Sequence, residues 1–189
     1  MEKEYFKNKN YLFIIVGVGG TGSLLARDLP KLILEKNHAM CLLDGDIVEK
    51  KNIKRQSYQS QDIGENKAIA LESKISTFYD IPCYSIPKYL MNEEITRFTE
   101  KFPNHIPVIL GCVDNNKTRI ILENTFNTLS ECIYIDSANG EYEGNLYIKM
   151  KLNGKEEGVL RSEVYDYSLD FHPLEESCEA QADKGNVQY

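Results

Sequence analysis

YLFIIVGVGGTGSLLARDL, residues 11–29, sets an unbroken apolar run directly against a cluster of glycines. The apolar part, residues 11–16, reads as a buried strand. Gly17, Gly19 and Gly22 follow with the spacing G-x-G-x-x-G, here carrying an extra Gly20. A glycine at the first position permits a tight turn after the strand. One at the second lets a phosphate approach the backbone, and one at the third lets helix and strand pack closely. The helix opening there presents free N–H groups and a positive dipole end to an anion. A second apolar run, residues 40–43, ends in Asp44, about 20 residues on, where an acid that binds ribose hydroxyls is expected. A strand-end acid capping a turn is the simpler role for Asp44; the glycine loop upstream favours ribose.

Beyond Asp44 the chain departs from a dinucleotide site. Asp44-Gly45-Asp46 is followed by Asn52, Arg55 and Gln56, then by Asp62-Ile63-Gly64 and Lys67. Arginine and lysine beyond a glycine loop suit the larger charge of a triphosphate. The ordered set GVGGTG, DGDIVEKKNIKRQ and DIGENKA, joined by Gly111-Cys112-Val113-Asp114-Asn115, resembles the ThiF/MoeB/HesA family of ubiquitin-activating-type adenylyltransferases. The resemblance covers residues 11–136. It implies ATP-dependent activation of the C-terminal glycine carboxylate of a small ubiquitin-like or sulfur-carrier protein of β-grasp fold. Carried onto this chain, it places the nucleotide on Gly17, Gly19, Gly20, Gly22, Asp44, Asp46, Asn52, Arg55, Gln56 and Lys67. Arg55, Lys67 and Asp114 become the catalytic set, with Asp114 holding Mg²⁺. Arg119 would brace Asp114 or reach the nucleotide, with bracing the simpler role. Some relatives pass the activated carrier to a cysteine, and Cys178 lies in the matching part of the chain. Its neighbours Glu175, Glu176 and Glu179 oppose thiolate formation. The family's N-terminal arginine, which reaches the partner subunit's nucleotide, has no counterpart in residues 1–10. The family also implies a two-fold dimer, here a homodimer. Two other readings compete: a nucleotide-binding member without catalysis, and an NAD-binding oxidoreductase, which leaves Arg55, Lys67 and Asp114 without a role.

Composition narrows the classes further. Net charge is 22 − 29 = −7, against general affinity for nucleic acid or anionic membrane. No apolar stretch reaches spanning length, and residues 1–10 lack a signal core, so a cytoplasmic protein is expected. The five cysteines are scattered without a C-x-x-C pair, which predicts buried reduced thiols and no structural zinc.

Strands alternating with helices predict a doubly wound, mainly parallel, Rossmann-like sheet in a single domain, residues 1–189, without the family's usual C-terminal part. The expected helix over residues 20–36 sets Leu24, Leu25, Leu29, Leu32 and Ile33 on one side and is broken by Pro30. A helix over residues 66–78 carries Lys67 in its first turn, a poor match to the helix dipole unless a bound phosphate supplies negative charge. Asn92 is expected to cap a helix reaching residue 101. Strands over residues 82–86, 107–112 and 132–135 complete the parallel part, with a helix over 116–129. Gly17, Asp44, Asp114 and Asp136 are all expected at carboxyl ends of strands, where such sheets bind ligands. Residues 144–152 alternate as an antiparallel extension. Asn153-Gly154 predicts a hairpin, with the return strand starting at residues 159–160.

Overall fold

The first apolar run forms the centre of the molecule because both of its faces are covered. In the computed structural model, which describes residues 9–34, 37–91, 93–139 and 144–167, it becomes β1 (Asn10–Val16). Tyr11 and Ile15 enter one core layer, Leu12, Ile14 and Val16 the other. A strand buried on both faces reads as continuous apolar sequence. β2 (Ala39–Leu43), β3 (Cys83–Ile86), β4 (His105–Gly111) and β5 (Cys132–Asn139) lie parallel to it, followed by β6 (Gly144–Leu152) and β7 (Lys155–Gly158). The seven strands run β3-β2-β1-β4-β5-β6-β7, with β6 and β7 antiparallel.

Helices cover both faces. α1 (Gly20–Asp28), α2 (Pro30–Ile33) and α3 (Lys67–Tyr79) bury Ala26, Ile33, Leu71 and Ile75 in one layer. α4 (Glu94–Thr99) and α5 (Asn116–Thr128) bury Ile95, Leu122 and Phe126 in the other. The chain winds outward from β1 to β3, then returns across β1 to β4. Strand order therefore reverses between β1 and β4, and the crevice at their carboxyl ends is where ligands enter such sheets. Gly17 and Cys112 meet there, tied by Gly17 N–H to the Leu43 carbonyl and Cys112 N–H to the Val16 carbonyl, both 2.8 Å.

Several expectations are refined. Pro30, which has no N–H to donate, divides the first helix into α1 and α2. Leu25, Leu29 and Ile33 turn to the core as expected, with Gly22, Ser23 and Ala26 beside them, whereas Leu24 and Leu32 face solvent, Leu32 at 77% exposure. Asn92 lies outside the described residues. α4 opens at Glu93 (φ 73°), and the Glu94 carboxylate accepts from Met91 N–H at 3.0 Å. Asp136 is not at a strand end. Pairing with β6 carries β5 on to Asn139, leaving Asp136 opposite Tyr147 and fully buried. Asn153 and Gly154 turn with φ 51° and 72°, as a two-residue hairpin requires. The return strand starts at once, at Lys155, rather than at residue 159.

Candidate functional site

The four glycines divide by what the fold itself needs. Gly17 turns with φ 81°, and a Cβ there would lie 2.8 Å from the Cys112 carbonyl oxygen. A Cβ on Gly22 would stand 1.9 Å from the Gly17 carbonyl oxygen, so this glycine lets α1 close onto β1. Gly19 and Gly20 differ. A Cβ on Gly19 would find nothing nearer than Gln56 Nε2 at 4.0 Å, and one on Gly20 nothing within 4 Å. Packing explains the first pair and leaves the backbone of the second open to an approaching group. Gly19 is also the N-cap of α1 and offers no side chain to the orphan N–H groups.

Asp44 ends β2 beside this loop. Its carboxylate accepts from Val18 N–H (2.7 Å) and Asp46 N–H (2.8 Å). Burial raises its pKa, while those two backbone donors pull the other way. A carboxylate has about four lone-pair sites, so two remain for hydroxyl donors. Asn66 locks the turn from below: its Nδ2 donates to the Asp44 and Asp46 carbonyls, both at 3.0 Å. Its Oδ1 caps α3 through Ala68 and Ile69 N–H. That cap, worth about 1 kcal/mol, fixes where α3 begins and puts Lys67 at its first position.

Lys67 is buried, and its ammonium sits 2.9 Å from Asp46 Oδ2. Negative charge at this helix end is thus supplied by Asp46 as well as by any phosphate bound there. Tyr89, which sequence reasoning did not single out, donates its hydroxyl to Asp46 Oδ1 at 2.5 Å. Burial alone would raise the Asp46 pKa, but the bonds from Tyr89 and Lys67 hold it below the ordinary carboxylate range.

The loop over residues 45–65 is strapped to the glycine turn. Tyr58, also missed, donates to the Val18 carbonyl at 2.6 Å, and Ser57 N–H donates to Ser23 Oγ at 3.1 Å. A buried aromatic in a long polar loop was the available signal. Gln56 is buried beside Gly19. Asn52 is buried and accepts Glu49 N–H at 2.8 Å, closing the turn that presents the exposed Arg55. Asp62 accepts from Gln59 N–H and Lys74, which makes the Asp62-Ile63-Gly64 segment a support for α3.

Across the crevice, Asp114 is exposed on the turn from β4 to α5, and Asn115 caps that helix through Thr118 N–H at 2.9 Å. Arg119 does not brace the Asp114 carboxylate. It donates to the Val113 carbonyl (2.6 Å), Asn116 Oδ1 (3.2 Å) and Asp136 Oδ1 (3.3 Å). It thus clamps the backbone of the turn that carries Asp114. Burial raises the Asp136 pKa against the pull of Arg119. Cys41, Cys83, Cys112 and Cys132 are free thiols. Burial raises all of them, Cys112 to about 11 and Cys83 and Cys132 to about 12. Cys178 lies outside the described residues.

The sequence model of the ThiF family matches residues 2–182. The chain belongs to the ThiF family. Among its relatives is ubiquitin-like modifier-activating enzyme 5 of Gallus gallus, 26% identical over 162 residues, covering 81% of this chain and 40% of that protein. The enzyme of the same name from Dictyostelium discoideum is 29% identical over 124 residues, 61% of this chain and 32% of that protein. This ThiF chain spans about two-fifths of the length of the Gallus gallus relative. Three solved structures share the fold. PaaA has a TM-score of 0.54 at 22% identity, over 91% of this chain and 50% of its own. The E. coli tRNA N6-threonylcarbamoyladenosine dehydratase TcdA, in complex with AMP, has a TM-score of 0.53 at 16% identity, over 69% and 52%. E. coli MccB, solved with AMPCPP and MccA, has 0.51 at 20% identity, over 72% and 38%. Among the described residues no helix is long and apolar enough to cross a membrane.

Proposed function

We propose that this chain is an ATP-dependent adenylyltransferase that activates the C-terminal glycine carboxylate of a small β-grasp carrier. The observation that carries the reading is the open backbone of Gly19 and Gly20, beside Asp44 and Lys67 at the point where strand order reverses. Family membership supports it, as do relatives named for activating a ubiquitin-like modifier and a fold neighbour holding AMP.

The carrier carboxylate is ionised at neutral pH and needs no general base. One of its oxygens attacks the α-phosphorus, the bond from that phosphorus to the β-phosphate bridge breaks, and pyrophosphate leaves with the electron pair. Alignment and neutralisation of phosphate charge lower the barrier. Asp44 holds the ribose hydroxyls, the Gly17–Gly22 turn and α1 hold phosphate, and Arg55 and Lys67 offset its charge. Asn52 and Gln56, buried in the loop that presents Arg55, join it in holding the triphosphate. Among the described residues no three His, Cys, Asp or Glu side chains gather as a metal site. Asp114 alone still fits Mg²⁺, which binds through one or two carboxylates and takes its other ligands from substrate phosphate and water. When bound there it would neutralise phosphate charge. Cys178 is the proposed acceptor of the activated carrier, and residues 1–189 are read as one ThiF-like domain.

A homodimer is part of the reading. Leu24 and Leu32 on the first two helices, and Leu146 and Ile148 on β6, are apolar and exposed. Light scattering with nucleotide present should give twice the chain mass, and a strictly monomeric mass would count against it. The nucleotide reading is tested by thermal shift with ATP·Mg²⁺ against NAD. Stabilisation by ATP alone is expected; stabilisation by NAD alone would overturn it in favour of an oxidoreductase.

A further inference from the structure

We propose that Tyr89 is a positioning residue for phosphate binding, acting through Asp46 on Lys67. The inference rests on the nucleotide reading above and adds a residue that the glycine, DGD and DIG-x-x-K motifs do not contain.

Three observations converge on it. Tyr89 is 69% exposed, yet its hydroxyl is directed to a single carboxylate oxygen, Asp46 Oδ1, at 2.5 Å. The other oxygen of the same carboxylate holds the buried Lys67 ammonium at 2.9 Å. The backbone makes room for this arrangement: a Cβ on Gly45 would lie 2.7 Å from the Tyr89 ring carbons Cγ and Cδ2 and from its backbone nitrogen. Gly45 does not have a left-handed φ, so the turn itself does not demand glycine there. What demands it is residue 89, ring and backbone alike, resting on the turn.

The physical consequence concerns competition for Lys67. Asp46 and a nucleotide phosphate both attract the ammonium. A tyrosine hydroxyl on Oδ1 draws charge off the carboxylate and fixes its rotation, leaving Oδ2 as a weaker, well-aligned counter-ion. The ammonium is then held at the start of α3 with part of its charge directed to a bound phosphate. Without the hydroxyl, the full carboxylate charge competes with phosphate and the carboxylate is free to turn.

The test is a double-mutant cycle on ATP affinity, measured by calorimetry with Mg²⁺, using Tyr89→Phe and Lys67→Ala singly and together. Lys67→Gln repeats the cycle in case Lys67→Ala does not fold. Tyr89→Phe alone should weaken ATP binding by roughly 5- to 10-fold, the scale of one ordinary hydrogen bond's net contribution, with the melting temperature retained. In either Lys67 background the same change should have no further effect, since coupled residues are non-additive. A loss of the same size in the Lys67 variants would overturn the proposal and make Tyr89 a direct nucleotide contact or a general structural element. Wild-type protein that binds no ATP would overturn the nucleotide reading, and this inference with it.

Discussion

Gly19→Val separates the needs of the fold from those of a ligand. The new Cβ meets nothing nearer than Gln56 Nε2 at 4.0 Å, an ordinary van der Waals contact. The fold has room for it, and the protein should still melt in one cooperative transition. Ligand binding should not. The valine methyls occupy the approach to the uncapped N–H groups at the start of α1. Losing two charge-assisted hydrogen bonds costs about 3–6 kcal/mol, which is roughly 10²- to 10⁴-fold in affinity. Gly22→Ala is the control with the opposite outcome. Its Cβ would stand 1.9 Å from the Gly17 carbonyl oxygen, so α1 must move off β1. Such overpacking costs about 1–3 kcal/mol or more, and the protein should melt lower. Calorimetric titration with ATP·Mg²⁺ together with melting curves reads both. A folded Gly19→Val protein that binds ATP within threefold of wild type would refute the reasoning.

Arg55→Ala and Asp114→Ala, both at exposed positions, should leave melting unchanged and lower carrier-dependent turnover roughly 10²- to 10³-fold each, the loss expected for one preorganised charge-stabilising group; wild-type rates in Asp114→Ala would remove its metal role. Arg119→Ala should destabilise the protein by about 3–5 kcal/mol, because it leaves the buried Asp136 uncompensated. Since the folded-state pKa of Asp136 is raised, the native state holds that proton more tightly. The deficit should therefore be small in acid and grow as pH rises from the wild-type folded-state value of Asp136 to the still higher value it takes without Arg119, readable in urea melts at several pH values. The thiols Cys41, Cys83, Cys112 and Cys132 have raised pKa values, so at pH 8 they are protonated and should react with a thiol reagent only on unfolding. Cys178→Ala should keep adenylation and lose any thiol-sensitive carrier adduct; an adduct that survives it and is lost on replacing another cysteine would overturn that assignment.

The central fold was legible because β1 is buried on both faces and its apolar run meets glycines that the backbone needs. Gly17 and Gly22 have steric causes written into their spacing, and Pro30 divides the first helix for want of an N–H. The outer part of the sheet was less legible. Asp136 read as a strand-end acid because its apolar run stops at Ile135, while the strand continues through backbone pairing to β6, which no side-chain pattern records. Likewise Leu24 and Leu32 share the helical spacing of buried neighbours, and only tertiary packing decides that they face out. In the site, the motifs named Asp44, Asp46 and Lys67. They did not tell that Asp46 faces Lys67, because that pairing depends on the path of a loop about 20 residues long, where sequence periodicity carries no signal. Tyr58 and Tyr89 went unnoticed for the same reason: each reaches the site by a contact far apart in sequence, to Val18 and to Asp46.

The most direct measurement is exchange of labelled pyrophosphate into ATP, run with Mg²⁺ and a β-grasp protein ending in glycine. Exchange reports formation and reversal of the acyl-adenylate and nothing later. The account expects exchange that requires the carrier's C-terminal glycine and disappears in Gly19→Val. ATP binding without exchange, whichever glycine-terminated carrier is supplied, would contradict it and leave a nucleotide-binding family member that does no adenylation.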